Sequence, residues 1–220
     1  MGLLTDPAAI AGLVAREVRT AERQGAVTRI AVARRTYATD PEDLWEALTD
    51  IERIPRWFLP ITGELAVGGR YQLEGNAGGV VEECERPKRF AVTWEMGPMV
   101  SWLEIRLEPG AGGTTLELVH EAPVDPDMWK QFGPGAVGVG WDLALMGLGL
   151  HLETGAGVDP AAALEFPATQ EGRDFVRAAA SGWAEAAIAD GDDPAQARAG
   201  AEATTGFYTV TPEEEEEERS

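Results

Sequence analysis

The chain contains a single cysteine, Cys84, so no disulfide can close within it and nothing in it calls for an oxidising compartment. Histidine is nearly as scarce, at His120 and His151 only. A zinc site needs a cluster of ligands at set spacing, and neither His120-Glu121 nor His151-Leu152-Glu153 supplies one. Bases are few as well: Asp and Glu number 38 against 18 Lys and Arg, and the formal net charge is −20. A chain this acidic repels phosphate backbones and anionic lipid, which argues against nucleic acid and membrane surfaces as partners. Long apolar runs are missing too. The greasiest stretch, Ala136–Leu150, is short and interrupted by Asp142, so it reads as a core segment rather than a membrane span. Met1–Pro7 has neither a charged start nor an apolar run of signal-peptide type, and a cytoplasmic location is expected.

What is present is the composition of a globular protein, 44% apolar and 25% charged. Trp outnumbers Tyr seven to three; a large ring with one N–H donor suits a roomy, partly polar cavity as well as a core. The charge is uneven. Residues 159–220 hold 15 acids against 4 bases, and Glu213–Glu218 is an unbroken acidic run expected to be a solvated, disordered tail.

Along the chain, residues 6–23 read as a helix, with Asp6 as cap, Pro7 at the first position, Ile10, Leu13, Val14 and Val18 on one face, and Gly25 as the stop. A first strand follows over Thr28–Ala38, with Ile30, Val32, Arg34 and Thr36 alternating. Asp40-Pro41-Glu42-Asp43 opens a helix whose stripe is Leu44, Trp45, Leu48 and Ile51, and a short second helix covers Ile51–Trp57. Turn residues then separate strands at Gly63–Val67, Arg70–Glu74, Val80–Arg86, Phe90–Met96, Ser101–Glu108 and Thr114–His120. Alternation puts Tyr71 and Leu73 on one face, and likewise Val92, Trp94 and Met96; Leu103, Ile105 and Leu107; and Leu116, Leu118 and His120. The strand holding Cys84 fits neither face cleanly. A long helix runs from Val137 to Thr154 and is apolar nearly all round, as a helix buried on two sides is. Helices over 170–189 and 194–206 complete the chain.

The order of strand, two short helices, six strands and long helix resembles the α+β, helix-grip topology of the START-like (SRPBCC) superfamily: a curved antiparallel sheet around a long helix. Individual motifs go further. Asp40 through Thr49, Ile54-Pro55-Arg56-Trp57-Phe58, Gly68-Gly69-Arg70-Tyr71, Arg86-Pro87-Lys88-Arg89-Phe90 through Thr93-Trp94, Gly113 through Leu118, and Gly140-Trp141 resemble the bacterial branch named for activators of the ninety-kilodalton heat-shock protein's ATPase. The resemblance implies a helix-grip ligand-binding domain over 28–157. It is flanked by an N-terminal helical extension (1–27), a C-terminal helical extension (158–208) and the acidic tail (209–220).

A sheet curved around a helix leaves space between them, and the residues expected to line it are Trp57, Phe58, Tyr71, Leu73, Trp94, Met96, His120, Trp129, Phe132 and Trp141. A fully packed core is the plain alternative for the aromatics, and a hydrogen-bonded core imidazole for His120. Gly133 through Gly140 lacks the context of a phosphate loop and reads as a lip of the pocket or a plain loop. Ser101 and Ser181 lack a nucleophile elbow, and Cys84 lacks an activating partner, so no catalytic constellation emerges and neither metal nor cofactor is expected. Glu104 and Arg106 should face solvent; a register shifted by one would turn them inward and make acid–base chemistry thinkable. The reading is therefore an intracellular binding protein for a small apolar or aromatic molecule. Two alternatives accompany it: a polyketide cyclase or dehydratase-like enzyme, and a co-chaperone-like module whose partner is the chaperone in the family's name.

Overall fold

The computed structural model describes residues 6–210, so the glutamate run expected to form the tail lies outside the described residues. In chain order the elements are α1 (Pro7–Ala11), β1 (Ala15–Arg23), β2 (Ala26–Tyr37), α2 (Pro41–Thr49), a 3-10 turn (Ile54–Arg56), β3 (Ile61–Gly63), β4 (Arg70–Leu73), β5 (Gly78–Glu85), β6 (Arg89–Met96), β7 (Met99–Gly110) and β8 (Gly113–Pro123). They continue with α3 (Pro126–Phe132), α4 (Gly135–Thr154), α5 (Pro160–Glu165), a second 3-10 turn (Phe166–Ala168), α6 (Gln170–Ala189) and α7 (Pro194–Thr209). The strands form one curved, unclosed antiparallel sheet in the order β1-β2-β8-β7-β6-β5-β4-β3.

The expected helix over 6–23 is a correction. Asp6 does cap a helix, but only for the five residues of α1; the chain then extends into β1. Gly25 closes no helix. Gln24 and Gly25 have φ of 54° and 81°, and two successive positive values make the tight turn whose twist suits a hairpin between β1 and β2. Gly133 through Gly140 needs correcting too: from Gly135 onward it is the start of α4, not a loop.

Two compact units emerge from the contacts. One takes residues up to Val18, Asp125–Asp142 and everything from Asp159; the other takes Arg19–Val124 and Leu143–Val158. The first is helical. Its core is the buried face of α6, with Phe175, Val176, Ala179 and Trp183 at most 1% exposed. The glycines of α4 are what let the helices close here: a Cβ on Gly138 would lie 2.3 Å from the Trp183 ring, and one on Gly135 would lie 2.7 Å from the Thr204 hydroxyl. Beside them sits a buried carboxylate, Asp142, which accepts from Arg16 Nε and Nη2, both at 3.1 Å, and from Trp183 Nε1 at 2.7 Å. A buried charge survives only with such partners.

The second unit holds most of the sheet and the C-terminal half of α4. Leu116 and Leu148 are fully buried, with Leu103, Ile105, Leu107 and Leu118 nearly so. Trp45 of α2 meets Phe90 of β6 edge-on at 5.8 Å between ring centres. An Asp43–Arg53–His151 chain ties α2, the first 3-10 turn and the end of α4 together. Asp43 pairs with Arg53 at 2.7 Å, Arg53 Nε donates to His151 Nε2 at 3.2 Å, and His151 Nδ1 contacts the Ala156 carbonyl at 2.7 Å. The strand that fitted neither face is explained by a bulge: Val81 opposes Val92, yet Glu83 opposes Ala91, so one extra residue flips the alternation. α4 is long and apolar enough to cross a membrane by length and composition, but 61% of that stretch is buried inside the protein, as in a core helix.

Candidate functional site

In the sheet-bearing unit, β2 sets which side of the sheet meets α4. Arg35 Nη1 and Tyr37 Oη both donate to the Leu145 carbonyl, each at 2.9 Å. Residues directly opposite across antiparallel strands point the same way, so the registers carry that side across the sheet. One row is Ala31, His120, Leu103, Val92 and Val81; the next is Ala33, Leu118, Ile105 and Phe90, and the one after it includes Arg35, Leu116 and Leu107. Toward the β6–β7 hairpin, Trp94 opposes Ser101 and Met96 opposes Met99.

Three strands bring Trp94, Ser101 and His120 together at the hairpin side of this face. The Trp94 and His120 rings meet edge-on with centres 6.2 Å apart. His120 Nε2 lies 2.8 Å from Ser101 Oγ, and Ser101 Oγ donates to the Trp94 carbonyl at 3.0 Å. A serine hydroxyl has one proton to give, so the imidazole must be the donor in the first contact, neutral with its proton on Nε2. Burial holds His120 in that state, pushing its pKa down to about 4. Such a ring cannot take the Ser101 proton, so the pair is polar lining rather than an activated nucleophile.

Tyr71 is 6% exposed and acts as a strut. Its hydroxyl donates at 2.7 Å to the Thr93 carbonyl, two strands away. Strands lie about 4.8 Å apart, so the ring must cross β5, and the residue opposite Tyr71 on that strand is Gly79. No larger residue fits there, since a Cβ on Gly79 would sit 2.0 Å from the Thr93 carbonyl oxygen. Burial, and then the charge of Glu95, push the Tyr71 hydroxyl well above its ordinary range. Leu73 is buried opposite Ile61. Met96 is 47% exposed, next to Met99 and Val100, which are also exposed.

The other expected residues are placed as follows. Trp57 and Phe58 stack on each other at 5.4 Å, with Trp57 Nε1 donating to the Ala47 carbonyl at 2.8 Å. Trp129, Phe132 and Trp141 belong to the helical unit. There Trp129 Nε1 donates to Asp192 at 2.8 Å, and Phe132 packs on Phe207 at 5.7 Å. Two participants were not anticipated, Ser101 as the partner of His120 and Arg35. The signal for Arg35 was available: it shares parity with Ala33 and Tyr37, the buried side of β2.

The opposite side of the sheet carries charge. Arg34, Glu117, Arg106, Glu104, Arg89 and Glu83 are linked pair by pair from β2 to β5. Glu104 and Arg106 thus face outward, as alternation predicts. Partial burial works to raise the Glu104 pKa, but Arg106 and Arg89 outweigh it and hold the carboxyl below its usual range. Among the described residues no three His, Cys, Asp or Glu side chains group to hold a metal ion.

The comparisons agree with this architecture. CalU16 from Micromonospora echinospora matches with 29% identity over 80% of this chain. Its crystal structure gives a TM-score of 0.62 with 98% of that chain covered, and its solution structure 0.67 with 96% covered. Protein MLL2253 from Mesorhizobium loti is 26% identical over 57% of this chain and 97% of its own, with a TM-score of 0.50. No curated protein matches. Residues 38–153 match the family described as "Activator of Hsp90 ATPase homolog 1-like protein". The sheet closed on the C-terminal half of α4 is the helix-grip fold of the START-like superfamily, and within it the chain belongs to the Activator of Hsp90 ATPase homolog 1-like protein family.

Proposed function

We propose that this chain is an intracellular, cofactor-free binding protein for a small apolar or aromatic molecule, held on the α4-facing side of the sheet beside Trp94 and His120. The observation that carries the reading is the Trp94–Ser101–His120 cluster, a half-buried indole next to a neutral imidazole and a hydroxyl on the α4-facing side. An indole face stacks on flat or aliphatic groups, while one or two polar atoms set a ligand's orientation. The region 28–157 is the binding domain in this reading, with the segments on either side as its extensions. The cyclase or dehydratase alternative has less support, because a general base is wanted and His120 is held as a donor. The co-chaperone alternative would use an outer surface, and the outer side of the sheet presents alternating, mutually paired charges.

Native mass spectrometry of freshly purified protein tests the proposal, a retained small molecule being the expected result. With the neutral dye Nile red, Trp94→Ala should weaken binding more than Trp45→Ala does at matched foldedness. Equal losses would place the ligand elsewhere.

A further inference from the structure

Arg35 is 7% exposed and lies on the α4-facing side of β2, yet no carboxylate pairs with it among the described residues. Its only hydrogen bond there is from Nη1 to the Leu145 carbonyl, and its Nε is buried without a partner. Arg16, which is as well covered, has Asp142, and even the more exposed Arg53 and Arg34 have Asp43 and Glu117. Unpaired guanidinium groups are seldom buried, because desolvation is offset only by a countercharge and hydrogen bonds.

The surroundings hold this cation in place. Its guanidinium carbon sits 4.9 Å from the centre of the Tyr37 ring. On α4, Gly149 makes room for it, since a Cβ there would lie 2.5 Å from Nη2. Nη1 is committed to the helix, which leaves Nε and Nη2, the edge of the group that takes both oxygens of a planar oxyanion side by side.

We infer that Arg35 is the anchor for a carboxylate, so that the ligand of this protein is an amphipathic acid whose carboxylate lies on the Nε–Nη2 edge and whose apolar body lies along the same side of the sheet. The inference rests on the binding reading above and narrows it to acids. The bound anion supplies the countercharge that the chain withholds, and Tyr37 and Gly149 keep the fork from turning away to solvent.

The test compares dodecanoate with dodecanol, equal in chain length and differing in the head group, as displacers of Nile red. The native chain should prefer the acid by on the order of tenfold or more, the worth of hydrogen bonds to a charged group. Arg35→Met should abolish that preference while leaving dodecanol displacement unchanged. It should also leave the melting midpoint of the empty protein unchanged or raised, since an unpaired charge is removed from the interior. Gly149→Ala supplies an independent route: it keeps every charge but displaces the fork, and should cut the preference as well. The inference is overturned if dodecanol displaces as well as the acid, or if Arg35→Met or Gly149→Ala retains the preference. If neither compound nor Nile red binds at all, the wider binding reading falls with it.

Discussion

His120 shows how one side chain links burial, protonation and stability. Its folded pKa of about 4 lies below the ordinary value of 6.5, so between those values the unfolded chain binds the proton that the folded chain refuses. Its contribution is present in full above pH 6.5 and is lost as pH falls through that window, about 3 kcal/mol over the whole interval. Thermal melts should therefore show a steeper loss of stability from pH 6.5 to 4 in the native protein than in His120→Gln. Parallel curves would mean that the imidazole is hydrated. Trp45, 3% exposed and edge-on to Phe90, is a different case. Its truncation to Ala should cost about 3–5 kcal/mol, read as a fall in the denaturant midpoint. At this scale much was legible. Alternation brought His120 and Trp94 to one side, because β6 and β8 run without a bulge. Arg35 escapes a pattern reading because a charged residue is not expected inside, even when its parity with Ala33 and Tyr37 says so.

Among the elements, those with complete local signals were read closely. α2 has its Asp40 cap and Pro41 start, and α6 spans 170–189 as its apolar spacing predicts. The failures have physical causes. Val14 and Val18 sit four residues apart and mimic a helical face, while the Gln24-Gly25 turn lacks the Asn-Gly or Asp-Gly that advertises a hairpin. The bulge in β5 is a two-against-one pairing that no single strand reveals. The glycines at the start of α4 suggest a loop because glycine is a poor helix former, whereas here close approach selects them. Two substitutions separate these effects. Gly140→Ala meets only the Tyr208 hydroxyl, at 3.0 Å, and should be neutral or stabilising by up to about 1 kcal/mol. Gly138→Ala drives a methyl into the Trp183 ring and should be destabilising, since overpacking of about 1–3 kcal/mol exceeds the same gain. Urea midpoints of the two variants should move in opposite directions or differ clearly.

For the molecule as a whole, the segment after Asp159 is built into the helical unit rather than appended to it. Removing residues 159–220 would expose Gly138 and Val139, the latter fully buried now, and would take the Trp183 donor from Asp142. Val139 alone accounts for about 1.5 kcal/mol or more, so this truncation should melt well below the full chain. Removing only 211–220 deletes six glutamates from a chain of net charge −20 and should leave the midpoint unchanged or slightly raised. An equal midpoint for both truncations would mean that the C-terminal helices contribute nothing to the rest. The sheet's openness has its own consequence. An unclosed sheet ends in two strands whose outer amides and carbonyls invite another chain to add on. Here β3 is three residues long and ends at Gly63, and β1 reads Ala-Arg-Glu-Val-Arg-Thr-Ala-Glu-Arg. One border is too short to template a partner, and the other accepts only a strand of matching alternate charge, so the sheet stays open without becoming a seed for fibrils.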